Sequence, residues 1–148
     1  MTPENEAKKE YLNRYHWCAK ALEQVDREIT QLRLRALPGG INYDGMPHGS
    51  GENHADLANY ASKLDEYITK RREKKEELIR TLEEITDAVD AMADERSQIL
   101  LRYKYIENKT WREVAVLMDY DESYVKRELH SEALQKFKLP TKSYEEKL

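Results

Sequence analysis

The sequence predicts an all-α chain in which a long antiparallel helical hairpin precedes three short helices, and three observations lead there. Apolar residues recur at alternating spacings of 4 and 3 along two long stretches, the signature of a helix with one narrow apolar seam. Between those stretches lies one irregular segment, 38–53, which holds all five glycines and two of the four prolines. After residue 93 the long period gives way to short apolar faces separated by capping sequences. The expected organisation is therefore a helical hairpin or coiled-coil arm over 1–93 with its loop at 38–53, a compact helical domain over 94–139, and a flexible tail over 140–148.

The first helix begins at Thr2, where a hydroxyl N-cap is followed by Pro3 and Glu4. Proline at the first helical position and an acid near the positive end of the helix dipole both favour that start. The seam then runs Tyr11, Tyr15, Cys18, Leu22, Val25, Ile29, Leu32, Ala36 and stops at Leu37, before Pro38-Gly39-Gly40. At roughly 1.5 Å per residue this helix is about 50 Å long. Asn53, with Asp56 three residues later, caps the second helix, whose seam reads Leu57, Ala61, Leu64, Ile68, Arg71, Lys75, Leu78, Leu82, Ile85, Val89, Met92. The two helices are of similar length and fold back on each other as a hairpin. Arg71 and Lys75 interrupt the seam, beside Arg72 and Lys74; such charges weaken a coiled coil but can fix its register or face a partner. Two helices alone cannot keep both stripes from water. The arm is expected to pack against a second copy, giving a homodimer, with packing against the C-terminal domain as the other possibility.

The three short helices are delimited by their caps. Ile99, Leu100 and Tyr103 form the expected buried side of the first. Thr110-Trp111-Arg112-Glu113 is a capping box that must start the second, and Trp111, Val114, Ala115 and Met118 give it one apolar face. Asp119-Tyr120-Asp121 supplies a turn and an N-cap, after which Val125, Leu129, Ala133 and Phe137 recur every fourth residue along the third. Trp111, placed in the apolar stripe, reads as a core anchor. Two short helices joined by so tight a turn have the layout of a helix-turn-helix.

The run from Ser97 to Phe137 resembles region 4 of bacterial sigma factors and of phage regulators that carry the same module. The resemblance rests on an arginine and a tyrosine ending the first helix, the Thr-Trp-x-Glu start, a tyrosine at the turn, and a Val-Lys-Arg-x-x-His helix ending in Ala-Leu. With the long hairpin and the loop Met46-Pro47-His48-Gly49-Ser50-Gly51, the chain is similar to phage late-gene regulators of the ArpU and RinA type. The resemblance implies sequence-specific binding of double-stranded DNA at a promoter, regulation of transcription, and contact with RNA polymerase. It does not extend to a promoter-opening domain, so the implied action is placement on DNA.

Turning Val125, Leu129, Ala133 and Phe137 inward directs Ser123, Tyr124, Arg127 and Ser131 outward, with Lys126 and His130 on one flank. Arg127 can donate two hydrogen bonds to a guanine edge, Ser123 and Tyr124 can meet phosphate or base, and Lys126 and His130 can approach the backbone. By the resemblance, positions 122, 123, 126 and 127 enter the major groove, which adds Glu122, a carboxylate able to accept from cytosine. Lys109, Thr110 and Arg112 stand at the start of the middle helix, where free N–H groups and the dipole favour a phosphate.

Composition limits the alternatives. The net charge is −4, yet from Asp94 to the end 11 Lys and Arg balance 11 Asp and Glu, so phosphate attraction is modest unless two copies act together. No apolar run approaches the roughly 20 residues that cross a bilayer, and the N-terminal stretch lacks a signal-peptide core, so a cytoplasmic protein with no membrane partner is expected. The single cysteine, Cys18, cannot form an internal disulfide. Asp44, His48, His54 and Asp56 match no metal-ligand spacing, and no nucleophile stands near a base in a recognisable pattern. Neither a metal, a cofactor nor an enzymatic activity is expected. Two other readings fit the same residues: a DNA-recognition subunit of a phage packaging motor, and a helical adaptor for proteins that binds no DNA.

Overall fold

The computed structural model describes residues 1–36 and 50–140, with the side chains of all of these except 50–55. Among the described residues every regular element is helical. Two long helices in contact, α1 (Pro3–Ala36) and α2 (Ser50–Asp90), form a hairpin, and three shorter helices follow. The Thr2 cap is present: its hydroxyl accepts from the Asn5 N–H (3.2 Å) and its carbonyl from the Glu6 N–H (3.0 Å). The second helix starts at Ser50, ahead of the cap expected at Asn53, and so includes Gly51. One glycine costs a helix interior only about 1 kcal/mol, which a helix of 41 residues can absorb. The expected helix end at Leu37 and the rest of the expected loop, with Asp44 and His48, lie outside the described residues, as does the tail beyond Pro140.

The chain divides into two compact units, residues 19–78 and residues 1–18 with 79–148. In the first, α1 and α2 bury Val25 and Ile29 almost completely, while Leu22, Leu32, Leu64, Ile68 and Leu78 are half-buried. A pair of helices has no third surface to close over its seam, so Leu57 stays exposed although it lies on the periodic stripe. Asp26 accepts from the Arg71 Nε–H at 2.5 Å across the pair.

The second unit holds the main core. Leu12 from α1 and Ile85 and Val89 from α2 are buried together with Leu100, Leu101, Val114, Val125, Ala133, Leu134 and Phe137. Tyr11 meets the Phe137 ring with centroids 6.0 Å apart. Within this unit Arg14 pairs with Glu84 at 3.2 Å and Cys18 Sγ lies 3.7 Å from Thr81 Oγ1. The boundary expected between 93 and 94 is a turn of the chain and not a break in packing, because the first turns of α1 and the last of α2 supply the layer on which the short helices close.

The three short helices are α3 (Glu95–Leu101), α4 (Trp111–Met118) and a third made of α5 (Glu122–Tyr124) and α6 (His130–Lys136). Asp94 caps α3 by accepting from the Ser97 N–H at 3.2 Å. The helix then widens over Arg102–Ile106, where the Glu107 N–H reaches back five residues to the Arg102 carbonyl (2.9 Å). A similar wide turn over Val125–Leu129 joins α5 to α6, and right-handed dihedrals at Val125 and His130 make 122–136 one continuous helix. The face of α3 is only partly the one expected: Leu100 is in the core and Tyr103 packs against it, but Ile99 is 39% exposed. Leu101 and Tyr105 are buried with Leu100. Three consecutive apolar residues leave the phase of a short helix open, and the Asp94 cap together with the packing partners decides it.

Candidate functional site

The site expected from the sequence is built by α4, the turn 119–121 and the helix 122–136. The capping box at the start of α4 is complete. Thr110 Oγ1 accepts from the Glu113 N–H (3.2 Å), and Glu113 Oε1 accepts both from the Thr110 N–H (3.2 Å) and from the Thr110 hydroxyl (3.0 Å). These bonds hold the Glu113 carboxyl below its usual range, so an anionic group already stands at this helix start. The Thr110 hydroxyl proton is committed to the cap, which leaves Arg112 as the exposed donor of the three residues expected to meet phosphate there. Lys109 is half-buried and lies 4.0 Å from Glu107.

Helix α4 ends where Asp119 turns into the left-handed region (φ 60), allowing its own N–H and that of Tyr120 to satisfy carbonyls of the last turn. Asp121 then caps α5, its carboxylate accepting from the Ser123 N–H at 3.2 Å. This three-residue connection brings the first turn of α5 beside α4. Val125, Leu129, Ala133 and Phe137 are all buried, as their spacing predicts, and Leu134 joins them. With those inward, Glu122, Ser123, Tyr124, Lys126 and Arg127 are exposed. Asp121, Glu122, Ser123, Lys126 and Arg127 line one shallow depression of 440 Å³. Tyr124 is flanked by Tyr120, with ring centroids 5.6 Å apart.

His130 departs from expectation. It is buried, its Nε2 is 2.6 Å from the Tyr105 hydroxyl, and the Trp111 ring meets it edge-on at 4.5 Å. Burial, then the charges of Lys9 and Lys104, push its pKa down to about 4, so at neutral pH it is an uncharged part of the core. It cannot reach a phosphate. The wide turn over Val125–Leu129 and the tyrosine from the preceding helix draw it inward from the flank where the spacing places it. Ser131, expected to face outward, is half-buried, its carbonyl accepting weakly from Asn5 Nδ2 at 3.5 Å.

Charge pairing separates the basic residues of the short helices into two groups. Arg96 pairs with Glu132, Arg102 with Asp90, Lys109 with Glu107, and Lys136 with Asp94 and Glu132. Lys104 lies over the Trp111 ring, 4.7 Å from its centroid. Among the described residues no carboxylate stands within ion-pair distance of Arg112, Lys126 or Arg127, and the same holds for Lys138 beyond α6. Burial, and then the charges of Lys9 and Lys126, hold the Lys104 ammonium below its usual range. Sequence reasoning missed Lys9 and Lys104. Lys104 lies next to the arginine and tyrosine singled out at the end of the first short helix, whereas nothing in the local sequence links Lys9 to a site more than 100 residues away.

Among the described residues no cluster of three or more His, Cys, Asp or Glu side chains is arranged to hold a metal ion. No helix among them is long and apolar enough to cross a membrane. Comparison with protein-family models, with curated proteins and with solved structures finds no match to this chain.

Proposed function

We propose that the chain is a phage-type transcription regulator that binds promoter DNA through a sigma-region-4-like helix-turn-helix formed by α4 and the helix 122–136. The observation that carries this reading is the distribution of free charge: Arg112, Lys126 and Arg127 are exposed without carboxylate partners, while Arg96, Arg102, Lys109 and Lys136 are each paired with a carboxylate. The helix 122–136 enters the major groove with Ser123, Lys126 and Arg127 toward base edges, Glu122 accepts from cytosine, and Tyr124 and Arg112 meet the backbone. Lys109 and Thr110 shape the start of α4, and His130 supports the helix from within. Because Asp121 and Glu122 share the depression with Lys126 and Arg127, attraction to phosphate is modest and discrimination between base edges is favoured. A second copy, joined through the arm, and RNA polymerase supply the remaining affinity.

The test is a fluorescence anisotropy titration of a promoter duplex over a series of salt concentrations. Replacing Lys126 and Arg127 by alanine weakens binding at least about tenfold and makes the salt dependence shallower, by about one unit for each phosphate that is no longer neutralised. Equal affinity and equal salt slope in both proteins would favour a helical protein adaptor instead.

A further inference from the structure

The seam of the hairpin is interrupted by cations, and within the unit 19–78 these are gathered in one groove. Asp26, Ile29, Thr30 and Arg33 form one face of α1, and Ile68, Arg71, Arg72 and Lys75 the facing side of α2; both sets have helical spacing. The groove between them has a volume of 680 Å³, within the range of about 300–1,000 Å³ common for small-ligand sites. Ile29 is buried at its floor. Four cations face a single carboxylate there. Arg71 Nε donates to Asp26 at 2.5 Å, and the Thr30 hydroxyl donates to the Asp26 carbonyl at 3.0 Å. Arg33, Arg72 and Lys75 are exposed and have no ion pair among the described residues.

A helix pair gains nothing in stability from placing like charges across its own seam, since their repulsion opposes the packing. An anion with several charges removes that repulsion. Three of the four cations are guanidiniums, whose planar forks match phosphate oxygens in pairs of parallel hydrogen bonds. We propose that this groove binds a phosphate-bearing anion carrying two or more negative charges, either a free polyphosphate compound or adjacent phosphates of a nucleic-acid backbone. Arg33, Arg72 and Lys75 hold the anion, and Asp26 restrains Arg71, so that removing the carboxylate frees a fourth donor. This site is independent of the duplex contact proposed for the C-terminal helices.

The experiment is a ¹H–¹⁵N correlation titration of the full chain with sodium tripolyphosphate at constant ionic strength. Saturable shifts confined to 26–33 and 68–75 are expected, with affinity reduced about tenfold in the Arg33→Ala, Arg72→Ala double variant through removal of charged hydrogen bonds. Asp26→Asn tightens binding, a response that general charge screening does not produce. Circular dichroism melts establish that each variant is folded. Titration with a short duplex, carried out in the Lys126→Ala, Arg127→Ala background, identifies the source: shifts at the same residues assign the phosphates to nucleic acid, and their absence beside a tripolyphosphate response assigns them to a free compound. Shifts spread over all exposed lysines and arginines, an unchanged affinity in the double variant, or equal affinity for citrate would overturn the proposal.

Discussion

Replacing Phe137 with alanine is expected to lower the unfolding free energy by about 3–5 kcal/mol, the range for a large aromatic removed from a tightly packed interior. Phe137 is fully buried, closes the last turn with its N–H bonded to the Ala133 and Leu134 carbonyls, and meets Tyr11 from the first helix. The residue therefore joins the start of the chain to its last helix within one unit. Domains of this size are stable by only about 5–15 kcal/mol, so the loss is a large share of the total. Ile99→Ala, at a position the sequence pattern places in the core and the structure leaves 39% exposed, should cost well under half as much. Urea denaturation measures both. A loss below about 1 kcal/mol for Phe137→Ala, or equal losses for the two variants, would contradict the packing described.

The second large effect is a dependence on pH centred on His130. Its folded pKa, pushed down to about 4 by burial and by Lys9 and Lys104, lies below the ordinary value of 6.5 that the unfolded chain retains. Between those values the unfolded state binds the extra proton, so stability is complete above pH 6.5 and falls as the pH drops toward 4. The difference amounts to something on the order of 3 kcal/mol. In His130→Gln that dependence is absent, and the stability gap between the two proteins narrows steadily from about pH 7 to about pH 4. Carboxylates held low by their partners, such as Asp94, Glu113 and Glu132, also lose stabilisation in acid, but they are present in both proteins and cancel in the comparison. A gap that stays constant over this range would show that His130 is not held neutral in the core.

What could be read from the sequence follows the range of the interactions. Thr110 with Glu113, and Asp121 with Ser123, are contacts within two or three residues, and the caps stand where their residue types place them. The four-residue spacing from Val125 to Phe137 identified a buried stripe because it gave the helix one unambiguous phase. Ile99-Leu100-Leu101 gave no such phase, and only the neighbours from α1 and α2 select Leu100 and Leu101. Leu12 escaped notice because it lies beside the seam residue Tyr11, yet the core of the C-terminal helices needs it. The burial of His130 depends on Tyr105, 25 residues away, and on a widened helical turn, neither of which a periodic pattern encodes. In the same way the outward position of Arg127 follows from the spacing, but which basic residues are paired, as Arg96, Arg102 and Lys136 are, could be seen only once distant segments were brought together.

Whether the helix 122–136 reads the sequence of a DNA duplex is tested most directly by selection from a pool of randomised duplexes. The full chain and its Arg127→Ala variant are carried through the same rounds at fixed salt. The full chain is expected to enrich one defined motif, and the variant to lose preference at one base pair or more of it, each worth about 1–3 kcal/mol. A pool that remains random with the full chain, or the same motif enriched at the same strength by the variant, would contradict sequence reading by this helix.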